Sequence, residues 1–289
     1  MVKLHIKRGE ESLFLYETTC SVELSELIPE LVRISNGRLK IERLNYEIEE
    51  LAKHGPTLPP NMQGLTDDQI SDLRLKDEWE DKCVPSGGYV ETTDPMSRRN
   101  GRAPKDNMAE VLNRTRQEAM AAVSKNLVKT DICLTMEKVK DALDQMRGSV
   151  MIVYPMGLPP HDNITLEFDN QEDLSGMQGS LQVLDEGTAQ LWWAGKELQR
   201  GKKLQDFIGK NEKTKLVVKL QKKGQGAPAR EQVFSEEERK HMMAHAYRKQ
   251  EEMKKLENAE EDAYLNSAWA DPNSLKRQFH GLGNFKWRP

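Results

Sequence analysis

Cysteine is scarce in this chain of 289 residues: Cys20, Cys83 and Cys133 are odd in number and tens of residues apart. That excludes a disulfide framework and the close pairs of a zinc site, so free thiols are expected. Long apolar runs are missing too, and no stretch approaches the length that spans a bilayer. Charge of one sign is absent, because 43 basic and 47 acidic residues leave a net charge of −4. No field exists to attract nucleic acid or an anionic membrane. The first residues carry Lys7, Arg8, Glu10 and Glu11 where a signal peptide needs an apolar core, which predicts a cytosolic or nuclear protein. Aromatics are few, at 6%, and 37% hydrophobic against 31% charged residues is too polar for one globule packed along the whole length. Part of the chain is expected as solvated helix or tail.

Catalytic and metal-binding patterns are also thin. No glycine-rich loop followed by Lys and Ser or Thr appears, and no Gly-Xaa-Ser-Xaa-Gly elbow. His241 and His245 share one helical face at metal-ligand spacing, but the glutamate of the metalloprotease pattern is missing between them. The residues supply no catalytic set, no cofactor site and no metal site, and the expectation is a protein that binds other proteins rather than an enzyme.

What is present is organised in segments. Val2, Leu4 and Ile6 alternate with Lys3, His5 and Lys7, Gly9 interrupts, and Leu13 to Tyr16 resume, a hairpin signal. Ser21 is a candidate cap for a helix through Leu24, Leu27, Ile28, Leu31 and Val32. A second helical run after Asn36-Gly37 carries Ile41, Leu44, Ile48 and Leu51. Residues 1–55 thus read as hairpin plus helices, with a β-grasp-like arrangement left open. Residues 56–104 read as loop, a short helix opened by the capping box Thr66 to Gln69, and a mobile linker rich in Gly and Pro. Helical periodicity over 105–148 predicts a pair of helices, the second capped by Thr130 or Thr135 and ended by Gly148.

Residues 149–222 predict strands at 150–154, 164–168, 190–194 and 216–220 around a short helix near Leu181 and Leu184. Gln190-Leu-Trp-Trp-Ala-Gly-Lys-Glu-Leu198, Gly201-Lys-Lys-Leu-Gln-Asp-Phe207 and Glu212-Lys-Thr-Lys-Leu-Val-Val-Lys-Leu220 resemble ubiquitin's strand, turn and loop. The fold class expected is therefore α+β: a ubiquitin-like β-grasp module, an N-terminal hairpin-helix unit and helical arms. Gly195 would supply the turn and Leu204 the core plug. Alternation sets Leu191 and Trp193 on one face and Trp192 on the other; the resemblance implies that the Leu191 face is the core side, with Leu158 expected near Trp192. Trp192 is then either an exposed contact or covered by the protein's own elements. Residues 223–234 read as linker, 235–258 as a charged helix capped by Ser235, and 259–289 as an aromatic tail. In that tail Trp269, Phe279 and Trp287 stand among Lys and Arg, a pattern suited to ordering on a partner or to folding back on the protein's own core.

A second resemblance runs the length of the chain. Leu58-Pro-Pro-Asn-Met-Gln-Gly-Leu-Thr-Asp-Asp68, Lys82-Cys-Val-Pro-Ser-Gly-Gly88, Val150-Met-Ile-Val-Tyr-Pro-Met-Gly-Leu-Pro-Pro160, Gly224-Gln-Gly-Ala-Pro-Ala-Arg-Glu231 and Asp262-Ala-Tyr-Leu-Asn-Ser267 resemble the Kurly family of cilia- and flagella-associated proteins. The resemblance implies a cytoplasmic and basal-body protein needed for motile cilia, acting in outer dynein arm assembly, with a link to planar polarity. It implies axonemal dynein subunits or dynein-assembly co-chaperones as partners, and no catalytic residues. The ubiquitin likeness alone would instead imply a general adaptor for a proteasome or an ATPase segregase.

Overall fold

A computed structural model describes residues 1–229 and 236–266, which divide between two compact units, 1–230 and 231–289. The first unit begins with the expected hairpin. Strands β1 (Val2–Arg8) and β2 (Glu11–Thr18) pair antiparallel about Gly9, which takes a φ of 59° that costs a glycine nothing. The chain then enters helix α1 (Leu24–His54), which runs straight through Asn36-Gly37 as one helix of 31 residues. Two helical segments were expected there. A glycine in a helix interior costs about 1 kcal/mol relative to alanine, but a Cβ at Gly37 would lie 2.6 Å from Val139 Cγ1. The glycine is what lets α1 and helix α4 (Met136–Val153) approach so closely. Ser21 is not the cap: Glu23 holds that position without a side-chain bond. The Leu24 N–H donates to the Lys202 carbonyl instead, so a distant loop satisfies one of the orphan donors of the first turn.

Between α1 and the closing strands come α2 (Asp67–Asp72), the small antiparallel pair β3 (Tyr89–Glu91) and β4 (Arg102–Pro104), α3 (Asp106–Ala122), α4, α5 (Asn163–Phe168) and α6 (Gln178–Gln182). Thr66 and Gln69 form the expected capping box of α2, and Thr135 caps α4. Helices α3 and α4 pack together and against α1. The stretch 84–104, expected as a mobile linker, is packed, with Ala103 and Arg99 buried.

The strands expected at 150–154 and 164–168 are helical. Val139, Ala142, Met146, Val150 and Val153 form one buried stripe at spacings of three and four, so the β-branched run continues α4 past Gly148 rather than starting a strand. Ile164, Leu166 and Phe168 mimic strand alternation, yet Asp162 accepts the Ile164 N–H and caps α5.

Strands β5 (Gln190–Trp193) and β6 (Lys196–Glu197), the short helix α7 (Gln205–Ile208) and β7 (Lys215–Gln221) then return to the N-terminal hairpin. Ala194 and Gly195, with φ of 48° and 79°, make the turn between β5 and β6, and Leu204 is fully buried as the core plug. One five-stranded sheet results, in the order β2-β1-β7-β5-β6, with β1 and β7 parallel and every other pair antiparallel. The fold is α+β. Hairpin, crossing helix and returning strands with the last parallel to the first follow the plan of a β-grasp, whose first half is residues 2–54 and not 150–168. Leu4, Ile6, Leu24, Leu31, Leu191 and Val218 are completely buried between the sheet and α1. Burial of each such side chain stabilises the fold by roughly 1.5–3 kcal/mol.

The second unit contains helix α8 (Glu236–Asn266), which extends past the expected end at 258. Met242, Met243, Tyr247, Met253 and Leu256 are exposed on it. Ser235 and the tail residues Trp269, Phe279 and Trp287 lie outside the described residues.

Candidate protein-contact face

The side chains of a strand alternate between the two faces of its sheet, and in β5 this separates two neighbouring tryptophans. Leu191 is completely buried and Trp193 packs against the core, as the alternation predicts, while Trp192 turns to the outer face. Across the sheet Trp192 is opposite Lys219 on β7 and Glu197 on β6, and Lys219 is in turn opposite Lys7 on β1. One row therefore carries two lysines, a tryptophan and a glutamate. Gln190 stands next to it and donates to Glu197 Oε1 at 2.8 Å.

The chain beyond β7 turns back over this row. Lys219 Nζ donates to the Ala229 carbonyl at 2.9 Å, and Gln221 Nε2 donates to the Gly226 carbonyl at 2.5 Å. Lys219 and Gln221 are buried, yet Lys223 to Ala227 and Ala229 are exposed. Residues 222–229 thus form a strap that touches the face without burying much of itself. Trp192 is half-buried, and its indole Nε1 is hidden from solvent without an acceptor among the described residues. A buried donor left unpaired costs about 1–3 kcal/mol, and an acceptor supplied by a bound peptide would recover it.

The β2 side of the same face is closed by other means. Leu15 is completely buried, and its carbonyl accepts the Leu134 N–H at 2.7 Å. Asp131 pairs with Lys3, and with Lys215 at 3.0 Å. These two lysines, Lys3 foremost, hold its carboxyl below the usual range.

Leu158 is not beside Trp192. Because α4 continues to Val153, Leu158 falls in the turn between α4 and α5 and packs against the core, a cluster that Trp192 does not join. His241 and His245 both lie in α8, and no cluster of three metal-ligating side chains occurs among the described residues. Nor is any described helix long and apolar enough to cross a membrane. Cys20, Cys83 and Cys133 are free. Burial, with Asp77 and Asp162 nearby, pushes the Cys83 thiol up, so it stays protonated at neutral pH.

A buried polar knot at the C-terminal end of α1 escaped the sequence reading. Asp162 is completely buried; its Oδ2 accepts from the Thr57 N–H at 3.0 Å and the Thr57 hydroxyl at 2.8 Å, and lies 3.9 Å from Arg99. Arg99 donates to the Gly55 carbonyl at 2.8 Å and to Glu47 Oε2 at 2.7 Å. Burial raises the pKa of the neighbouring Tyr154 phenol, whose hydroxyl has no hydrogen-bond partner among the described residues. The knot ties residues 55–104 and α5 to the end of α1. Its one sequence signal is Asp162 ahead of Asn163-Ile164, a capping pattern.

No solved structure matches the chain. The family model of cilia- and flagella-associated protein 298 matches residues 189–285, a span that begins one residue before β5. Full-length relatives are closer in kind. Cilia- and flagella-associated protein 298 of Danio rerio and that of Homo sapiens are each 61% identical to this chain over 289 residues, covering 100% of both partners. The Drosophila melanogaster protein of that name is 51% identical over 288 residues, covering 100% of this chain and 99% of its own. With likeness at that level from end to end, the chain belongs to the cilia- and flagella-associated protein 298 family and has a cilia-related role.

Proposed function

We propose that the protein is a non-enzymatic adaptor for motile cilia that acts in outer dynein arm assembly, in the cytoplasm and at the basal body. The observation that carries this reading is the full-length identity with relatives named for cilia and flagella. An assembly factor must hold partly built subunits and release them, which calls for contact surfaces of moderate strength rather than a reaction centre. The Trp192 face fits that need. It offers an indole donor, lysines and a glutamate in one row with the carboxamides of Gln190 and Gln221 beside it, under a strap secured to the sheet by two side-chain hydrogen bonds. Its partners on this reading are axonemal dynein subunits or their assembly co-chaperones.

A general ubiquitin-like adaptor for a proteasome or ATPase segregase is the rival, favoured by the β-grasp order of the sheet. Depleting the protein from ciliated cells separates the two. Cilia that form but lack outer arms and beat weakly, restored by the wild-type chain, are the expected outcome. Complete arms with accumulation of proteasome substrates would transfer the proposal to the rival.

A further inference from the structure

Away from the Trp192 face, α1 and α5 diverge toward α6 and leave a groove of about 590 Å³. Its apolar side chains include Tyr46, Leu166, Leu174 and Met177, and its lips are open: Tyr46 and Met177 are 54% and 56% exposed. Large apolar side chains exposed together in a concavity mark a contact surface more often than chance exposure does. The charged lining is unequal. Glu47 and Glu167 are committed to Arg99 and Arg43. Among the described residues Glu42 has only a distant partner, Arg38 at 3.8 Å. Asp173 is held below the usual carboxylate range by the Ser175 hydroxyl and backbone N–H, and so remains charged at neutral pH. Glu172 shares one oxygen with Lys40 at 3.4 Å and Arg43 at 3.5 Å, while its Oε2 is hidden from solvent without a donor among the described residues. Against these carboxylates stands Arg98 as the one further cation among the described lining residues.

We propose that this groove docks a partner helix that presents apolar side chains flanked by lysine or arginine. The apolar stripe would lie between Tyr46 and Met177, and the basic residues would face the carboxylates of Glu42 and Asp173 beside Glu172. An acidic helix would bring its charges against Glu42, Glu172 and Asp173, and the groove rejects it. Helix-in-groove recognition of this kind works through apolar anchors at helical spacing, with charge choosing the partner. This inference stands apart from the ciliary reading and from the Trp192 face, and either can fail without the other.

The test uses the full chain and two fluorescein-labelled amphipathic peptides with the same leucine stripe, one with lysine and one with glutamate at the remaining positions. Fluorescence polarisation is measured on wild type, Tyr46→Ser with Met177→Ser, Glu172→Gln, and Trp192→Ala as a control outside the groove, each with a melting curve. The expected result is binding of the lysine peptide alone. That binding should weaken about tenfold or more in the double variant, the loss expected for anchor residues, weaken less in Glu172→Gln, and stay unchanged in Trp192→Ala. Equal binding of both peptides, no binding of either, or equal affinity in a folded double variant would overturn the proposal. The double variant replaces exposed side chains and should melt with wild type. Should it not, Glu172→Gln decides alone.

Discussion

Both ends of α1 bury apolar side chains, but the C-terminal end adds a buried polar knot. The first half of α1 lies on the sheet through Leu24, Leu27, Ile28 and Leu31, all at 1% exposure or less, with the Lys202 carbonyl capping the Leu24 N–H. Its last turns are fixed by the knot of Glu47, Arg99, Asp162 and Thr57, where each buried group depends on another. Apolar packing is distributed, so losing one side chain leaves the others in place. A buried polar knot is all or none, because removing one member leaves its partners buried and unsatisfied. The first device builds the sheet that carries Trp192; the second anchors the long excursion between α1 and β5 so that the sheet can close.

The sharpest way to break that contrast is at the knot. Asp162→Ala should cost about 3–5 kcal/mol, read from the urea midpoint, because it leaves Arg99 with a weakened set of partners and Thr57 with none for its hydroxyl. Leu191→Ala, on the apolar side, should cost about 2–5 kcal/mol in the same assay. Gly37→Ala should destabilise by about 1–3 kcal/mol through overpacking, despite alanine's better helix propensity. Adding Val139→Ala should relieve part of that loss, since Val139 Cγ1 occupies the space the new methyl needs.

A smaller effect follows acid. Burial opposes ionisation of Asp94, but the backbone N–H groups of Met96, Arg98 and Arg99 outweigh it and hold the carboxyl below its ordinary 3.8. A folded-state value below the unfolded one means that stability is present above about 3.8 and is lost as pH falls through the folded value. The stability gap between wild type and Asp94→Asn should therefore close in acid, and a gap that widens would contradict the assignment. Trp192→Phe should change stability least, by about 1 kcal/mol or less, because an aromatic ring is kept at a half-buried position and the lost N–H has no partner among the described residues.

The sequence carries the parts of this structure that are written locally. Val2, Leu4 and Ile6, the capping box at Thr66 and the run from Gln190 to Leu220 each express their element within a few residues, and each is where the reading placed it. Period two separates Trp192 from Leu191 and Trp193, and the ubiquitin resemblance implied which of the two faces is the core. What was not legible depends on distant partners. Pairing of β1 with β7 joins Leu4 to Leu216 across most of the first unit, so the first half of the β-grasp was sought in the nearest β-branched run, Val150 to Tyr154. That run is helical because Val150 and Val153 extend a stripe begun at Val139. Gly37 reads as a break until α4 is seen against it, and the knot has no periodic signature because Glu47, Thr57, Arg99 and Asp162 come from separate segments. The strap of residues 222–229, expected as part of a linker, is fixed by Lys219 and Gln221, which alternation shows only as polar strand residues.

The central claim is that a folded adaptor engages the dynein-assembly machinery through its outer sheet face. Affinity capture from ciliated cells with wild type and Trp192→Ala, each accompanied by a melting curve, tests it most directly. The account predicts that wild type recovers dynein subunits or their co-chaperones, and that the variant loses them while still melting cooperatively. Equal recovery by a folded Trp192→Ala protein would contradict it.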